Sequence, residues 1–145
     1  MKMYEYKGAG LPGIFLKNGY TLHETPYGPG VSFEDIDGLH RAIAADIVRQ
    51  KTPMTGSQFR FLRKEQDLVQ GELAGVLRVD VQTIANWEKK GDAEVPGPAD
   101  VAMRAFYSAF MHIKFGPMTF ESPSFEGRRA VFERHDQSWT EAVAA

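Results

Sequence analysis

The stretch Leu68-Val69-Gln70-Gly71-Glu72-Leu73-Ala74-Gly75-Val76-Leu77-Arg78-Val79-Asp80-Val81-Gln82-Thr83-Ile84-Ala85-Asn86-Trp87-Glu88-Lys89 decides how this chain is read. Its apolar residues recur at helical spacing, and a turn interrupts them at Arg78-Val79-Asp80. Extended upstream to Thr55, the segment predicts three short helices, over 56–66, 70–77 and 81–89. Thr55 and Gln58 form a capping-box pair for the first helix, and the Asp80 carboxylate can accept the free amides that open the third. Leu62, Leu73, Ala74, Leu77, Val79, Ile84 and Trp87 then point inward, which leaves Val81, Gln82, Thr83 and Asn86 on or near the outward face.

Working outward, Asn18-Gly19 lies between the apolar runs Ile14–Leu16 and Tyr20–His23 and predicts a tight hairpin, since both turn residues tolerate positive φ. Pro26, Gly28, Pro29 and Gly30 then break the chain. A helix follows, capped by Asp35 or Asp37, with Ile36, Leu39, Ile43 and Ile47 inward and its end near Gln50. Downstream, Pro98 suits a first helical turn, and Ala102, Ala105, Phe106, Ala109, Phe110 and Ile113 form its expected core stripe. Met103, Tyr107 and Met111 form a second stripe beside it, a candidate homodimer seam or else a surface covered by the C-terminal segment. Ala130–Glu133 and Ser138–Thr140 can pair as a second hairpin. The expected fold class is therefore mainly α: a bundle of short helices built around a helix-turn-helix, with a small N-terminal antiparallel β element and a possible C-terminal β-hairpin. Three segments are expected: a front piece over 1–50 for dimer or partner contact, the helix-turn-helix domain over 51–115, and an extension over 116–145.

Composition bounds function more than it specifies it. The 145 residues are 43% hydrophobic and 25% charged, as in ordinary globular proteins, and include no cysteine, which excludes disulfides and thiolate zinc sites. The net charge of −2 gives no global attraction to nucleic acid, so any such case must be local. Between Ile47 and Lys64 the charges are Arg49, Lys51, Arg60, Arg63 and Lys64, with no acid among them, whereas Glu121, Glu126, Glu133, Asp136 and Glu141 crowd the C-terminal part. His23, His40, His112 and His135 are scattered, no Ser sits in a Gly-flanked elbow, and the glycines of 8–13 lack the Lys-Ser/Thr ending of a phosphate loop. No enzyme activity, cofactor or metal site is expected. With no apolar run of about 20 residues or leader-like N-terminus, the cytoplasm is the expected compartment.

Leu68-Val69-Gln70, Leu73-Ala74, Leu77-Arg78-Val79-Asp80, Thr83-Ile84 and Trp87-Glu88 match in order and spacing the pattern of the Cro/repressor-type (Xre-like) helix-turn-helix family, which the chain resembles over roughly residues 55–113. The resemblance implies a lambda-repressor-like helix-turn-helix bundle whose third helix enters the major groove of duplex DNA. It makes Gln70 a phosphate clamp and Val81, Gln82 and Asn86 base readers, with Thr83 beside them. Gln and Asn side chains can bond adenine through two atoms, and Val can pack on a thymine methyl. Arg63, Lys89 and Lys90 suit phosphate. Two departures stand out: Val69 replaces the usual Ser or Thr cap, and Arg78 replaces the turn glycine, a position from which it too could reach phosphate. Gly71 and Gly75 each weaken the second helix by up to ~1 kcal/mol.

The front segment ahead of this motif, with Trp87-Glu88 and then Pro96-Gly97-Pro98-Ala99 after it, also resembles MqsA-type antitoxins, without the cysteines that hold their zinc. Together these readings imply a DNA-binding transcriptional regulator, an autorepressor acting as a homodimer on an inverted repeat. The alternative is an antitoxin that also binds a protein toxin. Tyr4, Tyr6, Phe15 and Tyr20 are expected in the front core, and acidic Glu34, Asp35 and Asp37 suit a basic protein partner.

Overall fold

The computed structural model describes residues 2–112 and 129–142. They form β1 (Tyr4–Glu5), β2 (Ile14–Leu16), β3 (Tyr20–Thr25), β4 (Gly28–Phe33), α1 (Ile36–Arg49), α2 (Gly56–Glu65), α3 (Gln70–Leu77), α4 (Val81–Glu88), α5 (Gly97–Met111), β5 (Ala130–His135) and β6 (Ser138–Ala142). The chain divides into two compact units, Met1–Ile43 with Glu126–Ala145, and Ala44–Phe125.

This corrects the expected fold class. The chain is not a mainly α bundle with small β additions, because its two ends build one mixed four-stranded sheet in the order β1-β2-β5-β6. β2 pairs in parallel with β5, Ile14 opposite Ala130 and Leu16 opposite Phe132, while the β1–β2 and β5–β6 pairs are antiparallel. The C-terminal hairpin forms as expected, yet as the far half of this sheet. Tyr6, Leu11, Ile14, Leu16, Leu39, Ala130, Val131, Phe132 and Trp139 make the core of the unit.

Asn18-Gly19 does not close a hairpin, since β2 and β3 lie in different sheets. Asn18 instead accepts the Arg134 amide at 2.6 Å through Oδ1, and Gly19, at φ +81°, turns the chain beneath Trp139. An added Cβ there would lie 2.4 Å from the indole, so close approach as well as backbone angle requires glycine. The hairpin comes later, where the Pro/Gly cluster had suggested only a break: β3 and β4 pair from Tyr20↔Phe33 to Thr25↔Gly28. Pro29 is tolerated in β4 because the ribbon has only two strands, so each has an unpaired edge. The base of the ribbon is fixed by aromatic packing of Tyr4 on Tyr20 and of Tyr4 and Tyr6 on Phe33. Trp139 Nε1 donates to the carbonyls of Glu34 and Asp35. Asp35, rather than Asp37, caps α1 by accepting the Gly38 amide.

In the second unit the buried residues of α5 are Ala99, Asp100, Met103, Arg104, Tyr107 and Ser108. The expected stripe is thus rotated. Ala105, Ala109 and Phe110 are exposed, Ala102 and Phe106 half-buried, and Ile113 lies outside the described residues. Met103 and Tyr107, proposed above as a dimer seam, are 0% and 1% exposed and belong to the unit's own core; Met111 is half-buried. The rotation has a physical cause in an ion pair on the inner face. Arg104 Nε donates to Asp100, its Nη1 to the Gln50 carbonyl at 2.6 Å, and its Nη2 to the Thr52 carbonyl at 2.9 Å. Asp100 also accepts the Met54 amide at 2.9 Å. The pair ties α5 to the chain between α1 and α2, and it satisfies backbone groups that burial would otherwise orphan.

Candidate nucleic-acid interface

Helices α2, α3 and α4 hold the residues singled out from sequence. α2 opens on the full capping box: the Gln58 amide donates to Thr55 Oγ1, and the Thr55 amide to Gln58 Oε1. α3 has no side-chain cap from Val69, whose aliphatic chain carries no acceptor, but Glu72 reaches back to accept the Val69 amide at 2.9 Å. Leu73 and Ala74 bury its inner face despite Gly71 and Gly75. Arg78 closes α3 in the left-handed region at φ 59°, ψ 46°, which costs a residue with a Cβ about 1 kcal/mol or more. Asp80 then caps α4 through the Gln82 amide at 2.8 Å. Both acids nearest this turn are therefore occupied at helix N-termini.

The turn fixes what α4 presents. Ile84 and Glu88 are buried, whereas Val81, Gln82 and Asn86 are exposed and Thr83 is half-buried. Gln82 Nε2 donates to Asn86 Oδ1 at 2.9 Å, one turn along the helix. Exposed Arg78 stands before this face, and exposed Lys89 and Lys90 follow it.

Arg63 is the candidate that the structure removes from this surface. It is 9% exposed, its Nε and Nη2 donate to Glu88 Oε2 and Oε1 at 2.7 and 3.0 Å, and its Nη1 donates to the Leu68 carbonyl at 2.7 Å. A guanidinium committed this way cannot also serve phosphate, so Arg63 is an internal brace between α2 and α4. The neighbouring basic residues Arg49, Lys51, Arg60 and Lys64 remain exposed. Gln70 joins the same network, with Nε2 donating to Glu88 Oε1 at 3.0 Å. Its half-buried amide retains a second N–H for a ligand.

Sequence reasoning missed Glu88 as the hub, because a Glu after Trp87 reads as a solvated helix end. The available signal was an acid two residues after Asn86, at the end of α4, with Arg60, Arg63 and Lys64 close together on α2 and no acid among them. Among the described residues no three His, Asp or Glu side chains cluster to hold a metal ion, and no helix is long and apolar enough to cross a membrane. No known protein family, curated protein or solved structure matches the chain.

Proposed function

We propose that the second unit binds duplex DNA sequence-specifically through α4, and that the protein is a transcriptional regulator acting as a homodimer on an inverted repeat, its own promoter being the first candidate. The observation that carries this reading is the outward face of α4. Val81, Gln82, Thr83 and Asn86 lie on a short helix whose opposite side is locked by Ile84 and the Arg63–Glu88 pair. Amide side chains on a rigid helix can read base edges, and the flanking Arg78, Lys89 and Lys90 supply positive charge for phosphates. Gln70, at the first position of α3, suits a phosphate contact through its second amide hydrogen.

The reading predicts retardation of duplex DNA with a steep salt dependence. Each phosphate contact contributes a slope of about 0.9 to log affinity against log salt, so Lys89→Ala and Lys90→Ala should each flatten the plot by about one unit. Unchanged slopes in both variants would remove these lysines from the interface. A toxin contact, the alternative reading, would fall on the β3–β4 ribbon, where Leu22 and Tyr27 are 68% and 100% exposed and no Lys or Arg occurs between Lys17 and Arg41.

A further inference from the structure

Gln82 and Asn86 face the same way on α4, and their hydrogen bond makes them unequal. Gln82 Nε2 spends one hydrogen on Asn86 Oδ1. It keeps the second hydrogen and the whole of Oε1, a donor and an acceptor side by side. Adenine presents the complement in the major groove, an N6–H donor beside the N7 acceptor. Guanine presents two acceptors there, O6 and N7, and an amide held in this sense would set its Oε1 against O6. Asn86, with Oδ1 occupied by Gln82, lacks an equally free acceptor for the same two-point contact.

We infer that Gln82 is the adenine-reading residue and that Asn86 is its positioning residue, fixing the sense and rotamer of the Gln82 amide before DNA arrives. Val81, 48% exposed and next in sequence, then lies where it can pack on the methyl of a neighbouring thymine. The half-site would contain an adenine at the Gln82 position with a thymine beside it. This inference rests on the proposal that α4 reads DNA, and it adds a division of labour that the sequence alone did not give. Orienting the amide beforehand saves the cost of ordering it on the A·T duplex, about 0.5–1.5 kcal/mol for a rotamer-rich chain, which corresponds to roughly two- to tenfold in affinity. On G·C, where Oε1 would face O6 and no two-point contact forms, the amide need not be ordered, so the saving enters the A·T to G·C ratio.

The test uses full-length protein and duplexes recovered by selection from a random pool. At each selected base pair, A·T is compared with G·C, and each variant is read as the ratio of its own two affinities, so that general losses cancel. The wild type should favour A·T at one position by about five- to 150-fold. Gln82→Ala should abolish that preference. Asn86→Ala should reduce it about two- to tenfold at the same base pair, while Asn86→Asp, whose carboxylate still accepts from Gln82 Nε2, should restore it despite weaker binding to every duplex. If Asn86→Ala left the ratio intact, or changed the preference at a different base pair, Asn86 would not position Gln82 and the inference would be overturned. A wild-type preference insensitive to Gln82→Ala would also overturn it while leaving DNA reading in place. Absence of any base preference in the wild type would instead bring down the DNA-reading proposal itself.

Discussion

Arg104→Met should destabilise the helical unit by about 3–5 kcal/mol, the usual cost of removing one partner from a buried ion pair. Arg104 is 0% exposed, and its guanidinium bonds Asp100 together with the carbonyls of Gln50 and Thr52. Methionine fills much of the volume but takes the guanidinium from the Asp100 carboxylate, which keeps its bond from the Met54 amide, and removes a donor from each of the Gln50 and Thr52 carbonyls. Since whole domains are stable by only about 5–15 kcal/mol, the urea midpoint should fall by about a fifth or more. Adding Asp100→Asn should recover part of the loss by removing the stranded charge. It should not recover all of it, because the buried Gln50 carbonyl loses its guanidinium donor, whereas the Thr52 carbonyl still accepts from Gln50 Nε2 at 3.2 Å. A loss below about 1 kcal/mol for Arg104→Met would mean that water replaces the guanidinium at little cost.

Glu88→Ala should be comparably damaging, again about 3–5 kcal/mol, because it leaves Arg63 buried without its anion and frees Gln70. The exposed Arg60, 4.0 Å from Glu88, should contribute little, as surface pairs do. A double-mutant cycle with Arg63→Met should return a coupling within the range of about 0.5–3 kcal/mol found for residues in one network. Additive losses would show that the two side chains act independently and that something else holds α4 against α2.

Local chemistry was legible in the sequence, and long-range pairing was not. The helices predicted over 56–66, 70–77 and 81–89 end within one residue of Gly56–Glu65, Gln70–Leu77 and Val81–Glu88. Their boundaries depend on caps and turns a few residues long: Thr55 with Gln58, Arg78 in a left-handed turn, and Asp80. The parallel pairing of β2 with β5 joins residues more than a hundred positions apart, and nothing in Ile14-Phe15-Leu16 names Val131 as a partner. Asn18-Gly19 misled because the positive φ that suits a hairpin also suits a close pass under Trp139. In α5, hydrophobic spacing pointed to the wrong face because two of the six buried positions belong to a charged pair, Asp100 and Arg104. The same blind spot assigned Arg63 to phosphate, since sequence shows a charge but not the buried Glu88 that neutralises it.

The central claim is that α4 and the turn before it form a DNA-reading surface. It is tested most directly by adding a duplex recovered by selection to isotope-labelled protein and following backbone and side-chain amide resonances. The account predicts that the largest shifts map to 69–90, including the side-chain amides of Gln70, Gln82 and Asn86, while β1, β2, β5 and β6 stay unperturbed. Shifts centred on the four-stranded sheet, or none at any residue with duplex in excess, would contradict it.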